Sequence, residues 1–476
     1  MASDSALPSA VRGGSDFDAG AASRLERYDP QFSARTVITA KQGWAFSVLA
    51  LFLAACFVVA PLATGSLLGQ ILAGWFLANA AFRGLLFAAG ATKPCVPFVP
   101  LLEAGDARLP IYTVLVPLYR EAVVLPGLLR ALDALDYPRE RLDIKLIVEE
   151  DDGETRGGLD GLALAPEYEI VVVPPGTPRT KPRACNHALP LSRGELLVIY
   201  DAEDRPEPQQ LRKAAALFAS MGLDIACLQA RLNFFNAREN ILTRLFAGDY
   251  ALWFDYLLPG LERFGIPMPL GGTSNHFRFE ALWAIHGWDP FNVTEDADIG
   301  IRLARLGYRV RTFGSTTFEE APTELGNWIR QRSRWQKGYM QTWLVHMRNP
   351  LQLWRNAGPL GFIGFQLFIG GTFVSAFLNP ILWAIMLVIF LCNLPLQHTA
   401  HVCYACLFLG NAFYVLLAVL GLWRRRWFAL MPFGALVPFY WAMASIAFYR
   451  AFAQLVSRPF HWEKTRHGTS RFAALP

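Results

Sequence analysis

The chain has 476 residues, 53% of them hydrophobic and 17% charged, with a mean hydropathy of +0.27; this excludes an ordinary all-soluble protein and asks for one soluble domain plus membrane segments. The net charge of +5 comes from 44 Lys and Arg interspersed with 39 Asp and Glu, so no basic run points to nucleic acid as a partner. Seven cysteines form no disulfide framework, and Cys403-x-x-Cys406, in a membrane-like run without a second pair, reads as two small hydrophobes.

Residues 1–42 are polar and rich in Gly, Ser, Ala and Asp, carry no signal peptide, and are expected to form a flexible cytosolic tail. From Trp44 to Ala63 and from Leu67 to Gly90 the sequence is almost uncharged, each run near the ~20 residues a helix needs to cross a bilayer. Residues 43–92 are therefore predicted as two transmembrane helices turned at Pro61–Ser66. Arg24, Arg27, Arg35 and Lys41 precede them and Lys93 follows, while the connector has no Lys or Arg, so the positive-inside rule puts both flanks in the cytosol.

Between 108 and 345, strand-like runs alternate with helical ones: Tyr112–Pro117, a helix over Val123–Leu135, then Lys145–Glu149, Ile170–Val173 and Glu195–Tyr200. This predicts a parallel, Rossmann-like α/β sheet with nucleotide chemistry at the carboxyl ends of its strands. Residues 346–456 return to the membrane. Phe362–Leu394 is one tilted crossing or two short helices broken at Asn379-Pro380, and Cys403–Leu422 is a further crossing that leaves Arg424, Arg425 and Arg426 in the cytosol. Phe428–Leu455, interrupted by Pro432 and Pro438, is expected to lie at the interface or re-enter it, returning residues 457–476 to the cytosol as a tail. Six spans in all is the rival count, and it would place the three arginines outside.

Asp151-Asp152-Gly153 follows a strand, where a carboxylate can accept hydrogen bonds from a nucleotide base and ribose; a solvated turn explains it equally. Asp201-Ala202-Glu203-Asp204 follows the next apolar strand. Carboxylates so close repel unless a cation shares them, which suits Mg2+ or Mn2+ on a diphosphate, with a surface acidic turn as the plain alternative. Lys181, between these motifs, offers a cation to nucleotide phosphates or simply opens a helix. The loop from Gly271 and Gly272 through Thr273 to His276 is small enough to approach a substrate closely. His276 reads as structural, since no second histidine stands at ligand spacing.

Thr294-Glu295-Asp296 opens a helix, where capping and the helix dipole already favour carboxylates; the catalytic reading makes Asp296, beside Glu295, a general base for an acceptor hydroxyl. Gln331-Arg332-Ser333-Arg334-Trp335 sets guanidinium groups suited to diphosphate oxygens beside an indole that can stack on a sugar. A basic amphipathic helix on anionic lipid would look similar.

Together, the run from Val114-Leu115-Val116-Pro117-Leu118-Tyr119-Arg120-Glu121 to Arg334-Trp335 resembles the family 2 glycosyltransferases, in particular the membrane-embedded branch with bacterial cellulose synthase and hyaluronan synthase. The resemblance implies an α/β GT-A catalytic domain over residues 108–345 set between transmembrane helices, a nucleotide-diphosphate sugar donor such as a UDP-sugar, and Mg2+ or Mn2+. It implies that Asp151 or Asp152 holds the uridine and Lys181 the donor, while Asp201 with Glu203 or Asp204 holds the metal. Asp296 would be the base, Gln331, Arg332 and Arg334 the diphosphate clamp, and Trp335, Gly272 and Thr273 the acceptor side. Where the family has Asp-x-Asp this chain has Asp201-Ala202-Glu203-Asp204, and register favours Glu203.

The tail Phe460–Gly468 is similar to the gating loop of cellulose synthase, although Trp462, Lys464 and Thr465 do not keep its spacing; a basic tail on lipid headgroups is the simpler reading. The implied function is inverting transfer of a sugar to a polysaccharide acceptor at the cytosolic face of a bacterial inner membrane, with processive export and partner subunits for it. The alternative is transfer of one sugar to a lipid carrier such as a polyprenyl phosphate or diacylglycerol. A non-catalytic scaffold or phage-adsorption component is a third reading, which the clustered carboxylates oppose.

Overall fold

The computed structural model describes residues 24–92, 109–392 and 398–472; Lys93 and residues 1–23 of the expected tail lie outside the described residues. Apolar runs build a sheet. β1 (Tyr112–Leu118) and β2 (Leu142–Glu149) are almost wholly buried, as strands covered on both faces must be. With β3 (Tyr168–Val173), β4 (Leu196–Ile199), β5 (Arg205–Pro206), β6 (Ile225–Phe234), β7 (Asn275–Arg278) and β8 (Arg309–Glu319), they form eight strands in the order β3-β2-β1-β4-β7-β6-β8-β5.

The half β3-β2-β1-β4 is parallel, as the alternation predicts. The other half corrects the all-parallel expectation, because β7 runs antiparallel to both β4 and β6. β7 is short and lacks an apolar alternation, and its side chains are placed by tertiary partners. His276 sits between the Tyr112 hydroxyl at 2.6 Å and Gln210 Oε1 at 3.1 Å. Burial pushes this imidazole down to about 3, which keeps it neutral and structural. The carboxyl ends of β1, β2 and β4 deliver Tyr119–Glu121, Glu149–Asp152 and Asp201–Asp204 to one edge.

Among the described residues, five helical segments are long and apolar enough to cross a membrane: Ala40–Val59, Pro61–Thr92, Pro350–Leu391, His401–Gly421 and Phe428–Ser457. The first two are separated at Ala60 alone rather than by a turn over 61–66. Pro61 begins the second helix, a position where its missing N–H costs nothing. Pro350–Leu391 breaks at Gly358, whose φ of 71° favours glycine, and not at Asn379-Pro380, which stays helical.

Phe428–Ser457 begins and ends at the catalytic domain. At its start, Arg425 pairs with Asp255 at 2.5 Å and Arg424 donates to the Asp255 carbonyl at 2.6 Å. At its end, Lys337 donates to the Arg458 carbonyl at 3.3 Å and the His461 carbonyl at 2.8 Å. In between it runs along the helix Leu325–His346, with Tyr440 against Trp328 and Gln454 against Lys337.

Residues 24–36 are not a free tail. Leu25, Phe32 and Ala34 are buried, Ser33 and Ala34 donate to Asp289 at 3.2 and 2.5 Å, and the Arg348 guanidinium collects the carbonyls of Gln31 at 2.7 Å and Ser33 at 2.9 Å. Three separated apolar residues give no periodicity, so composition alone reads the segment as solvated.

The helix Pro61–Thr92 is joined to the catalytic domain by backbone-to-backbone packing. A Cβ on Gly260 would lie 2.3 Å from the Leu86 carbonyl, and one on Gly90 2.0 Å from the Tyr256 carbonyl. Neither can be accommodated by moving a side chain. Gly260→Ala or Gly90→Ala is therefore expected to destabilise the protein by about 1–3 kcal/mol, read as a lower Tm in detergent, whereas Gly127→Ala, where a Cβ meets nothing within 4 Å, should leave Tm unchanged or raise it.

Candidate active site

Past β4 the chain turns through Asp201–Asp204, and the turn separates its carboxylates. Asp204, 1% exposed, points inward: Oδ2 accepts the Asp201 amide at 2.7 Å and the Thr273 hydroxyl. That turns Asp204 away from the cavity lining, with its Oδ1 buried and without a partner. The Thr273 hydroxyl, shared between Asp204 and the Ile199 carbonyl at 3.0 Å, shapes the loop and has no proton left for an acceptor.

Asp201 and Glu203 instead line the cavity. Asp201 pairs with the Lys181 ammonium at 2.5 Å, and Lys181 also donates to the Gly272 carbonyl at 2.6 Å. Glu203 meets His467 Nδ1 at 3.0 Å. Burial first, then Asp201 and Glu121, pushes the Glu203 carboxyl well above the ordinary carboxylate range. Glu319, also on the cavity wall, is raised by burial and by Asp204, Glu203 and Asp201, and its Oε1 is buried without a partner.

Burial lowers the His467 imidazole and favours its neutral form, so more acidic groups are gathered here than Lys181 can balance, which fits a divalent cation. Among the described residues no three His, Cys, Asp or Glu side chains form a closed metal cage. An ion held by Asp201 and Glu203 would complete its shell with phosphate and water oxygens, as Mg2+ or Mn2+ commonly does.

The helix Glu295–Arg305 brings the second pair of carboxylates. Thr294 precedes it, but its hydroxyl does not cap the helix; it packs where a Cβ on Gly338 would be, 2.1 Å away. Asp296 accepts the Ala297 amide at 2.7 Å on Oδ1. A Cβ on Gly272 would meet Asp296 Oδ2 at 3.4 Å and Asp201 Oδ2 at 4.0 Å, so the bare glycine keeps open the gap between the two motifs.

Burial raises the Asp296 carboxyl, opposed by the Ala297 amide and then by Lys181 and Arg334. Glu295 is pushed up to about 8, by burial first and by Asp296 second. Ionisation of both members is therefore opposed by burial, and that of Glu295 by the neighbouring Asp296 as well.

Gln331, Arg332, Arg334 and Trp335 all line the cavity from the helix Leu325–His346, yet the two arginines face different ways. Arg334 reaches the Val293 carbonyl at 3.3 Å and lies 4.5 Å over the Trp462 ring, on the side of Asp296. Arg332 is committed to Asp249 at 2.5 Å and the Tyr440 hydroxyl at 2.5 Å, inside a ring of Phe246, Trp328 and Trp335. It orders the aromatic wall rather than reaching for a diphosphate. Trp335 packs on Phe246 and stacks on Tyr250.

The tail lies across the site and is not loose. Lys464 pairs with Glu121 at 2.9 Å and donates to the Arg120 carbonyl at 2.8 Å, while Thr465 and Trp462 line the cavity. His467, which no motif suggested, carries the tail to Glu203.

At the far end the pair Asp151-Asp152 divides. Asp152, 3% exposed, caps the helix Gly153–Asp160 through the Thr155 amide at 3.2 Å and accepts the Arg120 amide at 2.5 Å. Both oxygens are thus occupied by the backbone. Asp151 is half-exposed and pairs with Arg179 at 2.8 Å, and Arg179, Tyr119 and Glu149 line the cavity beside it. Tyr119 and Arg179 were missed because neither stands in an acidic or basic cluster, and Glu149 because it reads as the last residue of a strand; closeness to a strand end or to Lys181 was the available signal.

Asp201, Glu203, Glu319, Glu295, Asp296, Arg334 and Trp335 open onto one cavity of about 920 Å³, which Tyr119, Glu149 and Arg179 also line. It continues past Trp335 and Tyr339 between the apolar helices, where Asn79, Arg83, Thr372, Ser375, Asn379 and Asn411 line it.

Comparison with known proteins places this arrangement. Residues 196–457 match the family model described as glycosyl transferase family group 2. The chain is 30% identical over 251 residues to probable glycosyltransferase YdaM of Bacillus subtilis strain 168, covering 50% of this chain and 58% of that protein. It is 28% identical over 268 residues to beta-monoglucosyldiacylglycerol synthase of Synechocystis, covering 55% and 54%. The chain thus spans little more than half the length of these relatives. Among solved structures, a mannosyltransferase of Pyrobaculum calidifontis, in complex with GDP-Man and Mn2+, superposes with a TM-score of 0.50 at 19% identity, over 81% of this chain and 99% of that one. The shared sheet and flanking helices are the GT-A fold.

The carboxylate crowding generates a stability prediction. A carboxyl whose folded pKa is raised costs stability only where the unfolded chain has already ionised, so the cost grows as pH rises above the ordinary Glu value and vanishes below it. Glu319→Gln removes one such group. It should raise Tm by a few degrees at neutral pH, with the difference from wild type closing on acidification; a constant difference across pH would refute the charge explanation.

Proposed function

Because the chain belongs to glycosyl transferase family group 2, we propose that it transfers a sugar, with inversion, from a nucleotide-diphosphate sugar to an acceptor that reaches the reaction from the membrane. One observation carries this reading: a single cavity joins the carboxylates Asp201, Glu203 and Asp296 to the apolar helices. A donor lies with its base near Asp151, Arg179 and Tyr119 and its diphosphate toward Asp201, Glu203 and Arg334. A bound Mg2+ or Mn2+ at Asp201 and Glu203 would neutralise the diphosphate as it leaves.

The remaining chemistry belongs to the chain's own side chains. Asp296 Oδ2 stands across Gly272 from Asp201, so a hydroxyl entering from the Trp335 side meets the base before the donor. Asp296 takes the hydroxyl proton as the oxygen attacks the anomeric carbon. A protonated Glu295 spares Asp296 a second adjacent charge. Lys181 holds Asp201 and the Gly272 carbonyl in place. Arg334 and Gln331 meet the departing diphosphate, and Trp462 closes over Arg334.

For the acceptor, depth decides. Gly90, whose carbonyl Arg424 binds, marks the catalytic face; Asn79 lies eleven residues earlier, about 16 Å deeper at the helical rise, near the middle of a core roughly 30 Å thick. Asn379 and Asn411, bonded to each other at 3.2 Å, form the inner end of the lining with it. A cavity ending near the midplane suits a lipid-carried acceptor. The polysaccharide reading is the second one, favoured by Trp335, Tyr339, Tyr414 and Trp441, whose rings can stack on a glycan.

We place the catalytic domain in the cytosol of a bacterial inner membrane. The first four apolar segments cross. Phe428–Ser457 lies along the interface, since its two ends are tied to the same domain.

Asp296→Asn is expected to lower kcat by about 10²–10⁴-fold, the range for a lost general base, with affinity for UDP or GDP unchanged. Glu295→Gln, which mimics the protonated acid, should keep most activity and remove an activity decline that wild type shows above about pH 8, where Glu295 ionises. A reversed pattern in the two variants sinks the assignment. For the tail, Lys464→Ala combined with His467→Ala should weaken donor retention severalfold, measured as nucleotide Kd; an unchanged Kd and turnover removes the tail from the site.

A further inference from the structure

Arg83 stands on the helix Pro61–Thr92, seven residues before Gly90 and so about 10 Å below the catalytic face. It is 7% exposed. Its Nε donates to Asn79 Oδ1 at 3.0 Å and its Nη2 to Thr372 Oγ1 at 3.2 Å, and its guanidinium lies 5.6 Å from the Phe368 ring and 5.3 Å from the Tyr414 ring. Among the described residues it makes no ion pair with a carboxylate, and Nη1 has no protein acceptor. Arg83, Asn79, Thr372 and Tyr414 all line the cavity.

An arginine near a helix end ordinarily extends toward water. This one does the opposite, because Asn79, one turn deeper, holds its Nε. A guanidinium held among apolar helices is costly without a counter-charge, and neutral hydrogen bonds and ring faces offset that cost only in part. The missing counter-charge has to come from an occupant of the cavity. A neutral glycan would be served by the amides and rings alone and gives no reason for a cation.

We propose that Arg83, oriented by Asn79 and Thr372, binds the phosphate of an anionic lipid whose headgroup enters the membrane end of the cavity. The guanidinium fork matches phosphate oxygens; the Thr372 hydroxyl, which donates to the Phe368 carbonyl at 2.7 Å, orients the fork as an acceptor, and Ser375 lines the same cavity. The lipid tails remain between the apolar helices, and the headgroup lies beneath Trp335 and Asp296. The site deepens the reading that the acceptor is lipid-carried, and rests on it for the lipid's role, though not for its binding.

Binding is tested with the full chain in nanodiscs of phosphatidylcholine doped with polyprenyl phosphate, phosphatidylglycerol or diacylglycerol, the lipid retained after mild delipidation being read by native mass spectrometry. Wild type should retain the two phosphate-bearing dopants over diacylglycerol. Arg83→Gln should lower that retention about tenfold, equivalent to roughly 1.4 kcal/mol, with Arg83→Lys intermediate and nucleotide affinity preserved in both. Equal retention of diacylglycerol by wild type overturns the proposal, as does full retention by Arg83→Gln. Inorganic phosphate that displaces the retained lipid at comparable concentration shows a free-anion site and overturns the lipid assignment. The wild-type comparison needs no variant, so a misfolded Arg83→Gln leaves the test intact. Asp296→Asn should retain lipid normally, which separates failure of the reaction from failure of this site.

Discussion

The structure depends on the crowding of carboxylates at the carboxyl edge of the sheet. Asp201, Glu203, Glu319, Glu295 and Asp296 share a buried volume with Lys181 and Arg334 as the nearby cations. Such an edge is unfavourable for the isolated chain, since burial and mutual repulsion both oppose ionisation. It becomes favourable once a dication and a diphosphate enter, because each supplies what the other lacks. The direction of every raised carboxyl is therefore the signature of a site built for charged occupants rather than for its own stability.

That edge is useful only if an acceptor can reach it, and the glycine contacts secure this. Gly90 and Gly260 allow the helix Pro61–Thr92 to lie backbone to backbone on residues 253–264, and Arg424 ties the same helix end to the Asp255 carbonyl. The membrane bundle and the catalytic sheet are thereby held in one register. The wall from Trp335 to Asn411 is continuous for that reason. Arg332, locked between Asp249 and Tyr440, extends the same logic, since an aromatic wall positioned by one ion pair needs no loop to move it.

Much of this was legible in the chain. β1, β2 and β4 announced themselves as apolar runs followed by polar or acidic turns, and that pattern marked Asp201; Asp296 was marked by a pair of carboxylates opening a helix and Arg334 by its place beside an indole, their roles coming from the family resemblance. What was hidden followed from tertiary contacts. Asp204 and Asp152 look as functional as Asp201 and Asp151 in sequence, and only hydrogen-bond geometry shows that backbone amides take both oxygens of Asp152 while the Asp201 amide and Thr273 take Oδ2 of Asp204. β7 lacks any period because Tyr112 and Gln210 fix it from a distance. Residues 24–36 read as solvent-facing until Arg348 and Asp289 are seen to collect their backbone. Glu319 stands at the end of a long alternating strand, where nothing local marks it.

The tail shows how one segment serves both halves. It leaves the interfacial helix at Arg458, is held at its root by Lys337, crosses the cavity mouth with Trp462 on Arg334, and ends with Gly468, Thr469 and Ser470 donating backbone amides to Glu320 at 2.6, 2.8 and 2.7 Å. Glu320 follows Glu319 directly, so the far anchor of the tail sits one residue past the end of β8, beside that buried carboxyl. Lys464 and His467, between the anchors, face Glu121 and Glu203. Lys464 thus sets one cation of the tail against the acidic mouth of the cavity, and the anchors at Lys337 and Glu320 fix the segment between them over Arg334 and Glu203, so the same residues that root the interfacial helix also position the wall facing the carboxylates.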